Sequence, residues 1–363
     1  MVLTPGHALP LSLRRRNISA MNKRLGFLLL FPCVVFLLGA DLPKIPPMPI
    51  ALTSNAVVSI KNGTEVYSMM GIGAKRTWDD ITSKIYILAL KSGKWTEGRP
   101  VPGVAGRLGS SVVGARGQIF LFGGYTVDGQ GNELIVGDVN SYFATSHRWY
   151  RAEDIPTPVE GAVIGVNHDR YIYLVGGRSR NGPVNSVQVY DAERNIWSQA
   201  TPFPGTPVFG HAGGLVDDAI VFVDGAKKSE DGGAYVASDQ CWIGKIDHKD
   251  PNHIDWGKLP AHPGKGRFGI IAAGGEHRVY FSGGATAPHN YKDATADGKA
   301  IDISPVTFTF DVHGNRWDTL LEDTPDARAD SRGIAFTPLG PLIVGGTLPD
   351  STPSAKVLAL PKK

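Results

Sequence analysis

The chain has 363 residues, 42% of them hydrophobic and 20% charged, a balance that excludes an intrinsically disordered protein. Its 45 glycines and 26 prolines are spread among short apolar runs, which suits many short strands with tight turns and excludes a helical bundle. The formal charge of +3 looks basic, but it comes from the first 40 residues, so it gives no reason to expect nucleic acid as a partner.

Those 40 residues read as an address. Arg14, Arg15, Arg16, Lys23 and Arg24 precede an apolar run over residues 25–38, and Gly39-Ala40 supply small residues before Asp41. Positive first and apolar second is the layout of a secretory signal, and Met21 offers a second start within it. The run is short of the ~20 apolar residues that a bilayer core needs, so cleavage is expected over retention as an anchor. A periplasmic or secreted location follows, with no stable membrane insertion after cleavage. Removing the five basic residues of the leader from the total of 37 leaves 32 against 34 acidic ones, a mature net charge of −2. Of two cysteines, Cys33 lies inside the leader, so Cys241 has no internal partner and is expected to pack beside Trp242.

From residue 41 onward one pattern recurs. VYSMMG (66–71), IFLFGG (119–124), IYLVGG (172–177), IVFVDG (220–225), VYFSGG (279–284) and PLIVGG (341–346) end on Gly71, Gly124, Gly177, Gly225, Gly284 and Gly346. A glycine returning about every 50 residues is a repeat signal, and it predicts a closed array over 41–363. In the third unit GAVIGV (161–166), YIYLVGG (171–177), SVQVYD (186–191) and a stretch around Trp197 read as four antiparallel strands, one propeller blade. Trp95, Trp149, Trp256 and Trp317 mark the same place in four other units. The chain ends too soon after Gly346 to complete a sixth blade. LPKIPPMP (42–49) resembles the stretch after each Trp and is expected to add as that blade's outer strand, closing the ring and its edges.

The glycine doublet, the downstream Trp and the period resemble Kelch repeats, which implies an all-β, six-bladed Kelch propeller. Kelch propellers include both enzymes and pure binding modules, so the fold leaves function open.

Antiparallel connection puts the start of each innermost strand and the loop after each doublet on one face, at the mouth of the axis. Ser54, Arg107, Glu160 and Arg267 all stand at one and the same distance before their doublet-ending glycines, and His211 and Arg332 stand slightly closer to theirs. Lys75, Arg76, Arg178, Arg180, Lys227 and Lys228 follow the doublets. Such a mouth would be net positive and would favour a small acidic sugar or glycan, with Arg107, Arg267 and Arg332 on a carboxylate and Arg178 and Lys227 beside them. Glu160, His211 and Asp224 are the candidates for handling protons. The alternative is that these arginines pair with neighbouring acids such as Glu160 and Asp330.

A narrower resemblance rests on VYSMMGIGAKRTW (66–78) and GGATAPHNYKDATADGK (283–299). Both are similar to bacterial periplasmic N-acetylneuraminate epimerases, exported six-bladed Kelch proteins that exchange the anomers of sialic acid. That resemblance implies an isomerase acting on a sugar acid, with Asn290 and Tyr291 among the ligand contacts and no cofactor. In that family a catalytic glutamate follows the fourth blade's glycine; here the triplet is Asp224-Gly225-Ala226, so Ala226 stands in its place. The competing expectation is a non-catalytic module whose pocket or rim takes a glycan or an envelope protein. Copper-radical oxidase chemistry of the galactose oxidase kind is excluded, because it needs a Tyr-Cys cross-link and a Tyr-His pair that the sequence lacks. His248, Asp250, His253 and Asp255 have the right donor types for a divalent metal but are expected to form a solvated turn, so no metal is assigned.

Overall fold

The computed structural model describes residues 45–103, 106–289 and 300–362. The leader over residues 1–40 and the Asn290-Tyr291 pair lie outside them.

Alternating apolar runs bounded by Gly and Asn turns form antiparallel strands, and these group into six blades around one axis. Blade 3 consists of Val163–Asn167, Tyr171–Val175, Val187–Asp191 and Ile196–Ala200, paired in that order from the axis outward. The innermost strands of the other blades are Ala56–Ile60, Ser111–Ala115, Ala212–Val216, Ile271–Gly275 and Ala335–Thr337. They approach so closely that a Cβ on Gly214 would stand 2.2 Å from Gly274 N, which is why this layer is built from Gly, Ala and Val. Both doublet residues have positive φ, as at Gly176 (+63°) and Gly177 (+101°). A Cβ on Gly177 would meet Glu160 O at 2.8 Å. Met70 and Asp224 hold the first doublet position with a side chain, at φ +63° and +65°, at a cost of roughly 1 kcal/mol each.

Each outer-strand tryptophan reaches back to the preceding blade. The indole N–H of Trp149, Trp197, Trp256 and Trp317 donates to Arg99 O, Glu153 O, Thr201 O and Pro260 O at 2.9–3.0 Å, four residues beyond the previous blade's tryptophan. Trp95 has no outer-strand tryptophan before it among the described residues, and its indole donates to Pro46 O at 2.9 Å. Residues 45–49 therefore take the place of a sixth blade's outer connection. They do not pair as the expected outer strand, however, and among the described residues blade 6 has three strands, Ala335–Thr337, Gly340–Val344 and Val357–Ala359. The reason is chemical: Pro46, Pro47 and Pro49 have no N–H for a ladder. The amide of Met48 between them makes one bond, to Ala355 O at 2.7 Å. Asn55 Nδ2 adds a bond to Val344 O across the same seam at 3.0 Å. Val66, Leu88, Leu342 and Val344 fill this seam, each buried aliphatic side chain stabilising it by about 2 kcal/mol. Among the described residues no helix is long and apolar enough to cross a membrane.

At one end of the axis six residues form a collar. Ser54, Gly109, Gly161, Gly210, Gly269 and Asp330 all have φ between +54° and +65°. Backbone N–H groups run round the ring from Ser54 to Asp330 O, Asp330 to Gly269 O, Gly269 to Gly210 O, Gly210 to Gly161 O and Gly161 to Gly109 O, at 2.6–3.0 Å. Gly109 N closes the circle on Ser54 Oγ at 3.1 Å.

Candidate functional site

The collar separates two cavities. Above it is a mouth of about 410 Å³, walled by the residues before the collar and the loops after the doublets. Below it an axial cavity of about 240 Å³ runs between the innermost strands. Arg332 lines both.

The residues just before the collar make bridges to those just after the doublets: Leu108 to Tyr125, Glu160 to Arg178, Phe209 to Ala226 and Phe268 to Ala285. The mouth consequently has an aromatic wall. Phe209 packs edge-on against both Tyr235 and Phe268, at 4.9 and 5.5 Å between ring centroids. Arg178 lies 5.5 Å from the rings of Tyr125 and Phe209. Its Nε donates to Glu160 Oε1 at 2.8 Å and its Nη2 to Glu133 Oε2 at 2.7 Å. Glu160 is 4% exposed, and burial raises its pKa against the opposing pull of Arg178 and Arg332. Opposite this pair, Arg332 Nη2 stands 3.2 Å from Asp330 Oδ1. That contact is off hydrogen-bond geometry. Arg332 Nε, Asp330 Oδ1 and, at the rim, His289 Nε2 are buried with no hydrogen-bond partner among the described residues. Unsatisfied donors and acceptors gathered round one hollow mark a place where a polar ligand gains most.

The structure thus brings Glu160, Arg178 and Arg332 together with Arg76 and Asp330, which the sequence offered only as a loop cation and a neighbouring acid. It adds Glu133 and His289, which sequence reasoning missed. Only His289 had a signal of its own, lying in the 283–299 stretch. The expected net positive mouth is corrected for the described residues: three arginines face three acids there, each arginine lying near a carboxylate.

The remaining candidates lie elsewhere. Arg107 and Arg267 are fully buried between strands and do not line the mouth. Arg107 donates to Gly123 O, Asp138 O and Asn140 Oδ1, and Arg267 to Gly283 O, Pro263 O and Lys265 O. Arg328, missed in the sequence, does the same at Gly345 O and Lys356 O. These three clip a doublet carbonyl to a neighbouring segment, and burial lowers the pKa of both Arg107 and Arg328 to about 10. Asp224 is sealed, its carboxylate held by His262 Nε2 at 2.9 Å and by Arg267 N at 3.0 Å. Burial raises its pKa, with His262 pulling the other way. Lys227 sits on the hairpin of Ala226–Lys228 and Tyr235–Ala237, outside the mouth lining. His211 lies below the collar in the axial cavity, 3% exposed, with no hydrogen-bond partner at either ring nitrogen among the described residues. Burial holds its pKa down to about 3. Cys241 is buried, which pushes its thiol up to about 12 and leaves it a packing residue.

Comparison with known proteins adds four findings. The family model described as the KLHDC2/KLHL20/DRC7 Kelch-repeats domain matches residues 54–284, more than half of the chain. Kelch-like protein 38 of Rattus norvegicus is 31% identical over 133 residues, 36% of this chain and 22% of that protein. Alpha-scruin of Limulus polyphemus is 27% identical over 219 residues, 58% of this chain and 22% of that one. The matched stretches thus span under a quarter of these relatives' length. Among solved structures, one titled "Structure of YjhT" superposes with a TM-score of 0.69 at 19% identity, covering 86% of this chain and 95% of that one.

Proposed function

The chain belongs to the Kelch-repeat family, and on that premise we propose that its propeller mouth binds a small sugar acid, a polyhydroxylated ligand with one carboxylate. The observation that carries this reading is the set of polar atoms there with no partner among the described residues, Arg332 Nε, Asp330 Oδ1 and His289 Nε2, beside an aromatic wall. A ligand with both donors and acceptors satisfies all three, while Phe209, Phe268 and Tyr235 offer a face for its sugar ring. Arg332 takes the carboxylate and the Glu160–Arg178 pair takes hydroxyls. Of the three proton-handling candidates only Glu160 lines the mouth, so an anomer-exchange activity would run through it. Export by the leader at residues 1–40 belongs to the same proposal, and N-terminal sequencing of the mature protein tests it.

The experiment is proton NMR of freshly released α-N-acetylneuraminate with and without catalytic amounts of protein. Line broadening that is lost in Arg332→Ala supports binding. Faster conversion to the β anomer, lost in Glu160→Gln, adds catalysis. Neither effect with this or related sugar acids overturns the proposal.

A second reading, a protein-binding module, is favoured by three exposed apolar side chains on the mouth-face loops. Trp78 is 52% exposed, Leu134 58% and Val236 39%. If sugar acids do not bind, replacing these three by Ser and measuring capture of a partner through that face becomes the decisive test.

A further inference from the structure

The opposite face of the propeller carries a different chemistry. The hairpin turn of blade 4 between Ala212–Val216 and Ala219–Val223 presents two adjacent acids, Asp217 and Asp218. Histidines converge on them from both sides. On one side His168, from the blade 3 turn, and His248, from the outer turn of blade 4, approach Asp218, with His168 Nε2 3.6 Å from Oδ1 and His248 Nδ1 3.2 Å from Oδ2. On the other, His313 Nε2 lies 2.9 Å from Asp217 Oδ2, and the His277 ring stands 4.7 Å from the His313 ring. Within each trio the ligand atoms all lie within 4.8 Å of one another.

From this arrangement we propose that the turn-side face holds two divalent transition-metal sites of the zinc type, one on His168, Asp218 and His248 and one on Asp217, His277 and His313. Four-coordinate zinc with bonds of about 2.1 Å places its donors about 3.4 Å apart, close to the spacings already present at Asp218. Two imidazoles and a carboxylate are a borderline-soft donor set that selects such metals over magnesium or calcium. The Asp218 carboxylate is held ready. Asn167, 3% exposed, donates from Nδ2 to Asp217 O at 2.9 Å and to Asp218 Oδ1 at 3.0 Å, the outer-shell bond that fixes a ligating carboxylate. His248 thus faces Asp218 and not the acids of its own turn, where Asp247 and Asp250 cap backbone amides. Each site joins three turns on two blades, and the pair ties blades 3, 4 and 5 through one hairpin. Water fills the remaining coordination positions.

The test is isothermal titration of the EDTA-treated chain with zinc chloride. Two ions bind per chain. His248→Ala or Asp218→Asn removes one, His313→Ala or Asp217→Asn removes the other, and the His248→Ala/His313→Ala double variant binds neither. Zinc raises the unfolding temperature of the unaltered chain and leaves that of the double variant where it was. All five variants replace exposed or half-exposed side chains and unfold in EDTA at the same temperature as the parent. No zinc binding at millimolar metal, or binding that the double variant leaves intact, overturns the proposal.

Discussion

The inner corners of blades 2 and 3 send ionisable side chains to opposite fates. In blade 2 Arg107 stands two residues before its collar glycine, Gly109, and turns into the protein, where three acceptors hold it. In blade 3 Glu160 stands one residue before Gly161 and turns into the mouth, where it meets Arg178. A single step along an extended chain reverses the face of a side chain, so one residue decides between a structural clip and a site. Blades 5 and 6 follow blade 2, with Arg267 and Arg328 two residues before Gly269 and Asp330.

The sharpest way to break that contrast is Arg107→Ala. The variant loses about 3 kcal/mol or more of stability in urea unfolding, from the cavity and the abandoned hydrogen bonds, while its folded fraction binds ligand as before. Weakened binding at unchanged stability would put Arg107 in the mouth and erase the difference between the corners.

His211 extends the comparison below the collar. Its folded pKa of about 3 lies under the ordinary 6.5, so the neutral form is the one that folds. Its contribution is complete above pH 6.5 and is lost as pH falls toward 3, about 2 kcal/mol of it between pH 7 and pH 5. Urea unfolding at the two pH values detects this, and His211→Gln abolishes that component. Parallel curves for the two proteins would mean that the ring is solvated in the folded chain.

Glu160→Gln is expected to cost about 1 kcal/mol at neutral pH, since an amide still accepts from Arg178. Because burial raises the Glu160 pKa, the folded state holds its proton more tightly than the unfolded one. The stability difference between parent and variant therefore declines as pH rises from about 4.5, which paired denaturation curves measure. Smallest in stability is Arg332→Lys, within about 0.5 kcal/mol of the parent, yet it weakens the sugar acid about tenfold in an NMR titration because the forked donor is gone. Equal affinity would move the carboxylate contact away from Arg332.

Much of the fold was legible because the doublets have an absolute backbone requirement, positive φ at close approach, that only glycine meets cheaply. The site was legible only in part, for a physical reason that Arg107 and Glu160 illustrate. Counting one fixed distance back from each doublet mixes three structural positions, since the turn between the first two strands varies in length from blade to blade. Ser54 at that distance is itself a collar residue, Glu160 is one before the collar and Arg107 two before. The hydrogen bonds of the collar, not distance along the chain, define equivalent positions. Asp224 misled for a related reason: it occupies a doublet glycine's place, and its partner His262 lies 38 residues away, beyond any local pattern. The two His-Asp trios are assembled from separate blades and leave no trace in spacing.

The bonds from Met48 to Ala355 and from Asn55 to Val344 join segments about 300 residues apart, from the first and the last blade. Until the last blade has formed, the innermost strand Ala56–Ile60 lacks its neighbour Ala335–Thr337. Joining them closes the longest loop among the described residues, the contact with the greatest closure entropy and so the one expected to form late. Substitutions along this seam act on how long the ring stays open and its edge stays sticky, a matter of yield and aggregation during folding.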